Sequence, residues 1–136
     1  MTTILVDSSV ILDVATRDPH WFAWSSAMLS EYANQGALCI NPIIYTEVSI
    51  GYERPEEVEA ALPPHLFRRE PIPWEALFLA GKAFLAYRRG GGLRVHPLPD
   101  FYIGAHAAVT TMPLLTRDPR RVSNYFPSVQ LITPNP

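Results

Sequence analysis

Four acidic residues stand where acids are costly. Asp7 ends the apolar run at residues 3–6, and a second apolar run begins at Val10. Glu47 is the only charged residue between Glu31 and Glu53. On a helix its neighbours at i−4, i−3 and i+3 are Ile43, Ile44 and Ile50, which share its face. Asp100 heads residues 101–109, a stretch without acid or arginine. Asp118 follows Pro113-Leu114-Leu115 after only Thr116 and Arg117. Each has an ordinary explanation when taken alone. Asp7 would cap a helix. Glu47 would pair with an arginine at a helix rim, since a carboxylate on an apolar face needs a positive partner. Asp100 would cap its helix and gain from the helix dipole. Asp118 would pair with Arg117 or Arg121 at the surface.

Taken together the four suggest a different chemistry. Carboxylates gathered within a few ångströms repel one another and titrate as a coupled set. A divalent cation relieves that repulsion, and a donor set made only of carboxylate oxygens suits Mg²⁺ or Mn²⁺ rather than zinc. Such an ion activates water and polarises a phosphate, so the reaction that follows is phosphodiester hydrolysis.

For the four to meet, the intervening elements must return each to one edge. Residues 3–6 read as a buried strand, with Ser8 or Ser9 capping a helix through Val14. Pro19 opens a helix at about residues 20–34, with Trp21, Trp24, Met28 and Leu29 on one face and Gly36 at its end. This face reads as core and dimer contact. Residues 38–40 form a second strand, and Asn41-Pro42 starts a helix running to about Tyr52. A short helix begins at Arg54-Pro55. Pro63, Pro64, Pro71 and Pro73 bracket an irregular stretch, followed by a long helix over residues 74–89. Gly90-Gly91-Gly92 ends it and opens a mobile loop through Pro99. Asp100 caps the next helix, to about Thr111. Residues 113–116 form a strand, Pro119 starts the last helix, and residues 129–132 form the last strand. Short apolar strands alternating with helices predict an α/β fold, a single domain over residues 1–136 with a central parallel sheet of four to five strands flanked by helices. Sites in such folds collect at the carboxyl ends of strands.

In this order and spacing the chain resembles PIN-domain ribonucleases, and among them the VapC-type toxins of VapBC pairs. The matching segments are Leu5-Val6-Asp7-Ser8-Ser9-Val10, Tyr45-Thr46-Glu47-Val48, Pro99-Asp100-Phe101-Tyr102-Ile103-Gly104-Ala105-His106-Ala107 and Leu115-Thr116-Arg117-Asp118-Pro119, with Asn124-Tyr125-Phe126-Pro127 in the closing segment. The resemblance spans essentially the whole chain. It implies that Asp7, Glu47, Asp100 and Asp118 form an acidic metal site for Mg²⁺ or Mn²⁺, supported by hydrogen bonds from Thr116 and from Ser9 by position. It also implies RNA as substrate, a homodimer, and a cognate VapB-type antitoxin that threads a segment across the active site.

Charge is consistent with this reading without carrying it. Net charge is −2, so nucleic acid would be held by a local patch and not by a global field. Lys82 is the only lysine, and three arginine pairs appear, Arg68-Arg69, Arg88-Arg89 and Arg120-Arg121. Arginine suits bidentate phosphate contact. Arg117, Arg120 and Arg121, around the fourth acid, are the candidate RNA phosphate contacts; the plain alternative is solvated surface charge. His106, alone on an apolar helix six residues past Asp100, reads as a hydrogen-bonded core histidine and not a ligand. His20, His65 and His96 have no ligand spacing, and the glycine triplet lacks the context of a phosphate loop. Cys39 is the single cysteine, read as a small buried hydrophobe in a reducing cytoplasm. No signal peptide or membrane span is read. Two rivals remain at this point: a catalytically silent module on the same fold, and a flavodoxin-like phosphotransfer domain, which would need a lysine near the acids.

Overall fold

A computed structural model of the chain describes residues 2–94 and 98–134. Among these residues five parallel strands form one sheet in the order β3-β2-β1-β4-β5. The central strands are β1 (Ile4–Val6), β2 (Leu38–Ile40) and β4 (Leu114–Leu115), and every residue in them is buried. Strands covered on both faces must be apolar throughout, and these are. Ile4 pairs with Leu38, Leu5 with Cys39 and Leu114, and Val6 with Leu115. Cys39 is fully buried between its neighbours, and burial pushes its thiol up to about 12.

The edge strands are two residues each: β3 (Arg68–Arg69) and β5 (Leu131–Ile132). β3 lies inside the proline-bracketed stretch that the sequence marks as irregular. Two exposed arginines show no apolar alternation, so the pattern is silent there. The pairing is nonetheless real, with Cys39 opposite Arg68 and Ile40 opposite Arg69. Charge on an edge strand discourages pairing with another chain. Arg69 bonds Glu59 at 2.8 Å and Arg68 bonds Glu70 at 2.6 Å.

Among the described residues seven helices wrap the sheet: α1 (Ser8–Ala15), α2 (Phe22–Asn34), α3 (Pro42–Ser49), α4 (Pro55–Ala61), α5 (Trp74–Arg89), α6 (Pro99–Thr110) and α7 (Arg120–Tyr125). α2 begins later than Pro19 suggests. Asp18 Oδ1 accepts from the His20 and Trp21 amides, so residues 19–21 form a turn before the helix. Its Trp24, Met28, Leu29 and Tyr32 pack on the core while remaining partly exposed. α3 stops at Ser49, short of Tyr52, and its N-cap is as read: Asn41 Oδ1 accepts from the Ile44 amide at 2.9 Å. α6 is the most buried helix, with Phe101 and residues 103–107 inaccessible. Gly104 is required there, because a Cβ would lie 2.5 Å from the Phe126 ring.

Two cap assignments are corrected. Neither Ser8 nor Ser9 caps α1; Asp7 holds the cap position and Ser8 begins the helix. Asp100 does not cap α6; Leu98 does, with Pro99 in the first turn. Pro99 supplies a fixed φ for helix entry and lacks the N–H that would go unpaired there, which moves the start two residues back. His96 and the loop expected to be mobile around it fall partly in residues 95–97, outside the described residues. Among the described residues no helix is long and apolar enough to cross a membrane.

Candidate active site

The carboxyl ends of β1, β2 and β4 place Asp7, Asn41 and Thr116 along one edge. The Asp7 amide donates to the Leu115 carbonyl at 2.9 Å, which fixes β1 against β4 at the point where Asp7 leaves the sheet. Asp7 has the extended backbone of a cap residue, yet its carboxylate makes no cap bond. Oδ2 instead accepts from Ser9 Oγ at 2.6 Å and Thr116 Oγ1 at 2.8 Å. Thr116 Oγ1 also accepts from the Asp118 amide at 3.0 Å. One buried hydroxyl therefore joins the first acid to the backbone of the fourth.

Glu47 is half-buried on α3 and is held by a serine, not an arginine. Ser8 Oγ donates to Oε1 at 2.7 Å. Ile44 beside it is buried, but Ile50 is 82% exposed, so the expected three-isoleucine face is only partly buried. Burial raises the Glu47 pKa, Ser8 lowers it, and the negative charges of Asp7 and Asp100 raise it further. Asp100, in the first turn of α6, is also raised: by burial first, then by Asp7, against the lowering influence of Arg121, with Asp118 adding a small increase. Four acids distant in sequence thus act on one another through space. Asp118 is the outermost, with its side chain 78% exposed and 3.7 Å from Arg117 Nη1.

Each of the three inner acids keeps one oxygen in hand. Asp7 Oδ1, Glu47 Oε2 and Asp100 Oδ1 accept no hydrogen bond among the described residues, while the other oxygen of each is held by a hydroxyl or by Arg121. The donor set is entirely oxygen and its charge is incompletely neutralised, which fits a hard divalent cation. As the side chains stand, no three such groups among the described residues close around a common point. In this arrangement Glu47 is bonded to Ser8 and Asp100 to Arg121.

The three candidate arginines differ. Arg117 is committed: its Nε lies 2.9 Å from both oxygens of Asp13, its guanidinium stacks on Trp21, and Ser25 Oγ donates to the same carboxylate at 2.7 Å. Arg121 Nη1 donates to Asp100 Oδ2 at 3.2 Å and lies over Tyr87 and Phe101. Arg120 is exposed and lines a cavity of about 450 Å³ beside Asp100 and Asp118.

Sequence reasoning missed the Asp13 network and the Ser8 contact. Asp13, between Leu12 and Val14, is as anomalous as Glu47 and is only 2% exposed. His106 is 1% exposed, with Nδ1 3.0 Å from Asn41 Nδ2. Since Asn41 Oδ1 is already taken by the Ile44 amide, its amide group donates and the ring proton sits on Nε2. Burial lowers the His106 pKa and keeps it neutral. Lys82, the lysine a phosphotransfer domain would need, stacks on exposed Phe78 on α5.

The PIN domain family model matches residues 4–125. The chain belongs to the PIN domain family. No curated protein sequence matches it. Among solved structures this PIN domain is similar to a chain of VapBC2 from Rickettsia felis bound to a DNA fragment from its promoter, with 14% identity, 97% of this chain and 98% of that one covered, and a TM-score of 0.71. A chain of VapBC-1 from nontypeable Haemophilus influenzae gives 16%, 97%, 98% and 0.71 on the same measures. A toxin–antitoxin complex from Klebsiella pneumoniae gives 21%, 98%, 98% and 0.62. At these identities the likeness is one of fold.

Proposed function

We propose that this PIN domain is a Mg²⁺- or Mn²⁺-dependent endoribonuclease and the toxin of a VapBC-type pair, acting in the cytoplasm as a homodimer restrained by a VapB-type antitoxin. The observation that carries the nuclease reading is that Asp7, Glu47 and Asp100 each keep one carboxylate oxygen free of hydrogen bonds among the described residues while the other is held by Ser9 and Thr116, by Ser8 and by Arg121. Burial and neighbouring negative charge raise Glu47 and Asp100 together at the carboxyl edge of the sheet, an arrangement that calls for a cation.

Asp7, Glu47 and Asp100 would hold the ion through the oxygens they keep free, with Asp118 at the open side. When bound, the ion supplies charge neutralisation at the phosphate and an acidified water for in-line attack. Ser9 and Thr116 fix the Asp7 carboxylate so that it need not reorganise as charge develops. Ser8 does the same for Glu47. Arg120 is the one of the three arginines with no ion pair among the described residues, and it is the candidate for steering RNA phosphates. Arg121, beside Asp100, lies where it can release that carboxylate and meet substrate. Arg117 acts by position, tying the turn that carries Thr116 and Asp118 to α1.

The test is cleavage of a labelled single-stranded RNA by the purified chain. With Mn²⁺ the RNA is cut, with EDTA it is not, and Asp7→Asn abolishes cutting while the protein stays folded. Undiminished cleavage in EDTA or by Asp7→Asn would refute the reading. Slowed growth on expression without an antitoxin, relieved by the same substitution, tests the toxin assignment.

A further inference from the structure

The cavity beside Asp100 and Asp118 has a composition that metal binding does not explain. Its volume of about 450 Å³ falls in the range of small-ligand sites. It is lined by the two acids, by Tyr87 from the end of α5, by Tyr125 with Asn124 from the end of α7, and by Arg120 and Arg121, the latter lying over the Tyr87 ring. The two tyrosine rings meet edge-to-face at 6.5 Å, and Tyr125 also packs against Phe101 at 5.4 Å. The aromatic wall is therefore fixed before any ligand arrives. Gly92 contributes to this, since a Cβ there would lie 2.3 Å from the Tyr87 ring.

Asn124 and Arg120 are exposed at the mouth of the same cavity. They are four residues apart on α7 and so share a face. Among the described residues neither side chain has a hydrogen-bond or ion-pair partner, whereas Arg117 and Arg121 both do. An asparagine offers one acceptor and two donors in a plane, which matches the edge of a nucleobase. An arginine matches the phosphate beside it. An aromatic wall, a planar reader and an unpaired cation thus lie next to acids that would act on a phosphodiester.

We propose that this cavity seats one nucleobase of single-stranded RNA next to the scissile phosphate, with Tyr87 and Tyr125 as its wall, Asn124 reading its edge and Arg120 on the adjacent phosphate. The proposal rests on the nuclease reading for the identity of the polymer. A base can enter only when unpaired and turned out of a helix, so the seat selects single strands, loops and ends over duplex RNA. Once a seated base covers Asn124 and shields it from water, a base whose edge does not match leaves the amide unpaired, so the seat discriminates between bases.

The test uses the full chain in EDTA and compares AMP, GMP, CMP and UMP with ribose 5-phosphate, by titration calorimetry. The expected result is that at least one nucleotide binds about tenfold or more tightly than ribose 5-phosphate. Asn124→Ala weakens the nucleotides and levels the differences between them, while ribose 5-phosphate is unaffected. Arg120→Ala weakens all five compounds alike. Equal affinity for ribose 5-phosphate and all four nucleotides, or unchanged nucleotide affinities in Asn124→Ala, would overturn the seat. Cleavage with Mn²⁺ separates this proposal from the nuclease reading. Uncut RNA together with the expected nucleotide binding removes the nuclease and leaves the seat. Cleavage with the same base preference in wild type and Asn124→Ala removes the seat and leaves the nuclease.

Discussion

Replacing Arg117 with alanine separates a structural arginine from an RNA-binding one. In the folded chain the Arg117 Nε holds both oxygens of Asp13, whose side chain is 2% exposed, while the Arg117 side chain is 27% exposed. Removing one partner of a fully buried pair costs about 3–5 kcal/mol, because a charge is left buried alone. Two features reduce that here: Ser25 still donates to Asp13, and partial exposure of the arginine admits water to the pair. A loss of about 2–3 kcal/mol is the reasoned figure. Unfolding entropy near 2.1 cal/mol/K per residue, over 136 residues, gives about 0.29 kcal/mol/K. The melting temperature should then fall by roughly 7–10 °C. Arg120→Ala, exposed and without an ion pair among the described residues, should change it by less than about 2 °C. Differential scanning calorimetry in EDTA measures both. Asp13→Asn, and the double variant with Arg117→Ala, complete a cycle in which the two losses are strongly non-additive. An Arg117→Ala shift below about 2 °C, or simple additivity, would refute the claim that this pair holds the turn carrying Thr116 and Asp118.

Further outcomes follow from the same contacts. Thr116→Val removes the hydroxyl between Asp7 and the Asp118 amide, so RNA cleavage should drop by at least about tenfold while Thr116→Ser retains most of it; equal loss in both would point to packing instead. Gly104→Ala drives a methyl into the Phe126 ring and should cost about 1–3 kcal/mol, read as a lower urea midpoint with an unchanged m-value. Glu47 and Asp100 ionise above their ordinary range when folded, so their stabilising contribution is complete below the unfolded pKa and is lost as pH rises through the raised values. In EDTA, the melting temperature of wild type relative to Glu47→Gln should therefore fall as pH rises from the ordinary carboxylate range through the raised one, and parallel curves would contradict it.

The parts of the fold that were legible in the sequence are those that bury continuous apolar runs. Residues 4–6, 38–40 and 114–115 announce themselves as strands because both faces must be apolar, and the long helix ends at Gly90 as its composition indicates. β3 was hidden because an edge strand of two arginines is specified by its neighbour Ile40 and not by its own pattern. The cap positions were misplaced by one or two residues where proline or an extended backbone outweighed the side chain usually found there. At the site, the unusual acids were visible as charges in apolar company, and the coupling between them needed only the sheet edge. Their individual partners were not visible. Ser8 for Glu47, Arg121 for Asp100 and the Asp13–Arg117 bond join residues 21 to 104 positions apart, and only the crossing of α1, α3, α6 and α7 at one edge brings them together. Asp13 carried the same signal as Glu47 and was passed over because no strand end or helix start marked it.

The central claim is that Asp7, Glu47, Asp100 and Asp118 bind a hard divalent ion. Anomalous scattering from a crystal soaked in Mn²⁺ measures this directly. The account predicts a manganese peak bounded by the carboxylates of Asp7 and Asp100, absent from crystals of Asp100→Asn. A crystal with manganese bound elsewhere and none between those two side chains would contradict it.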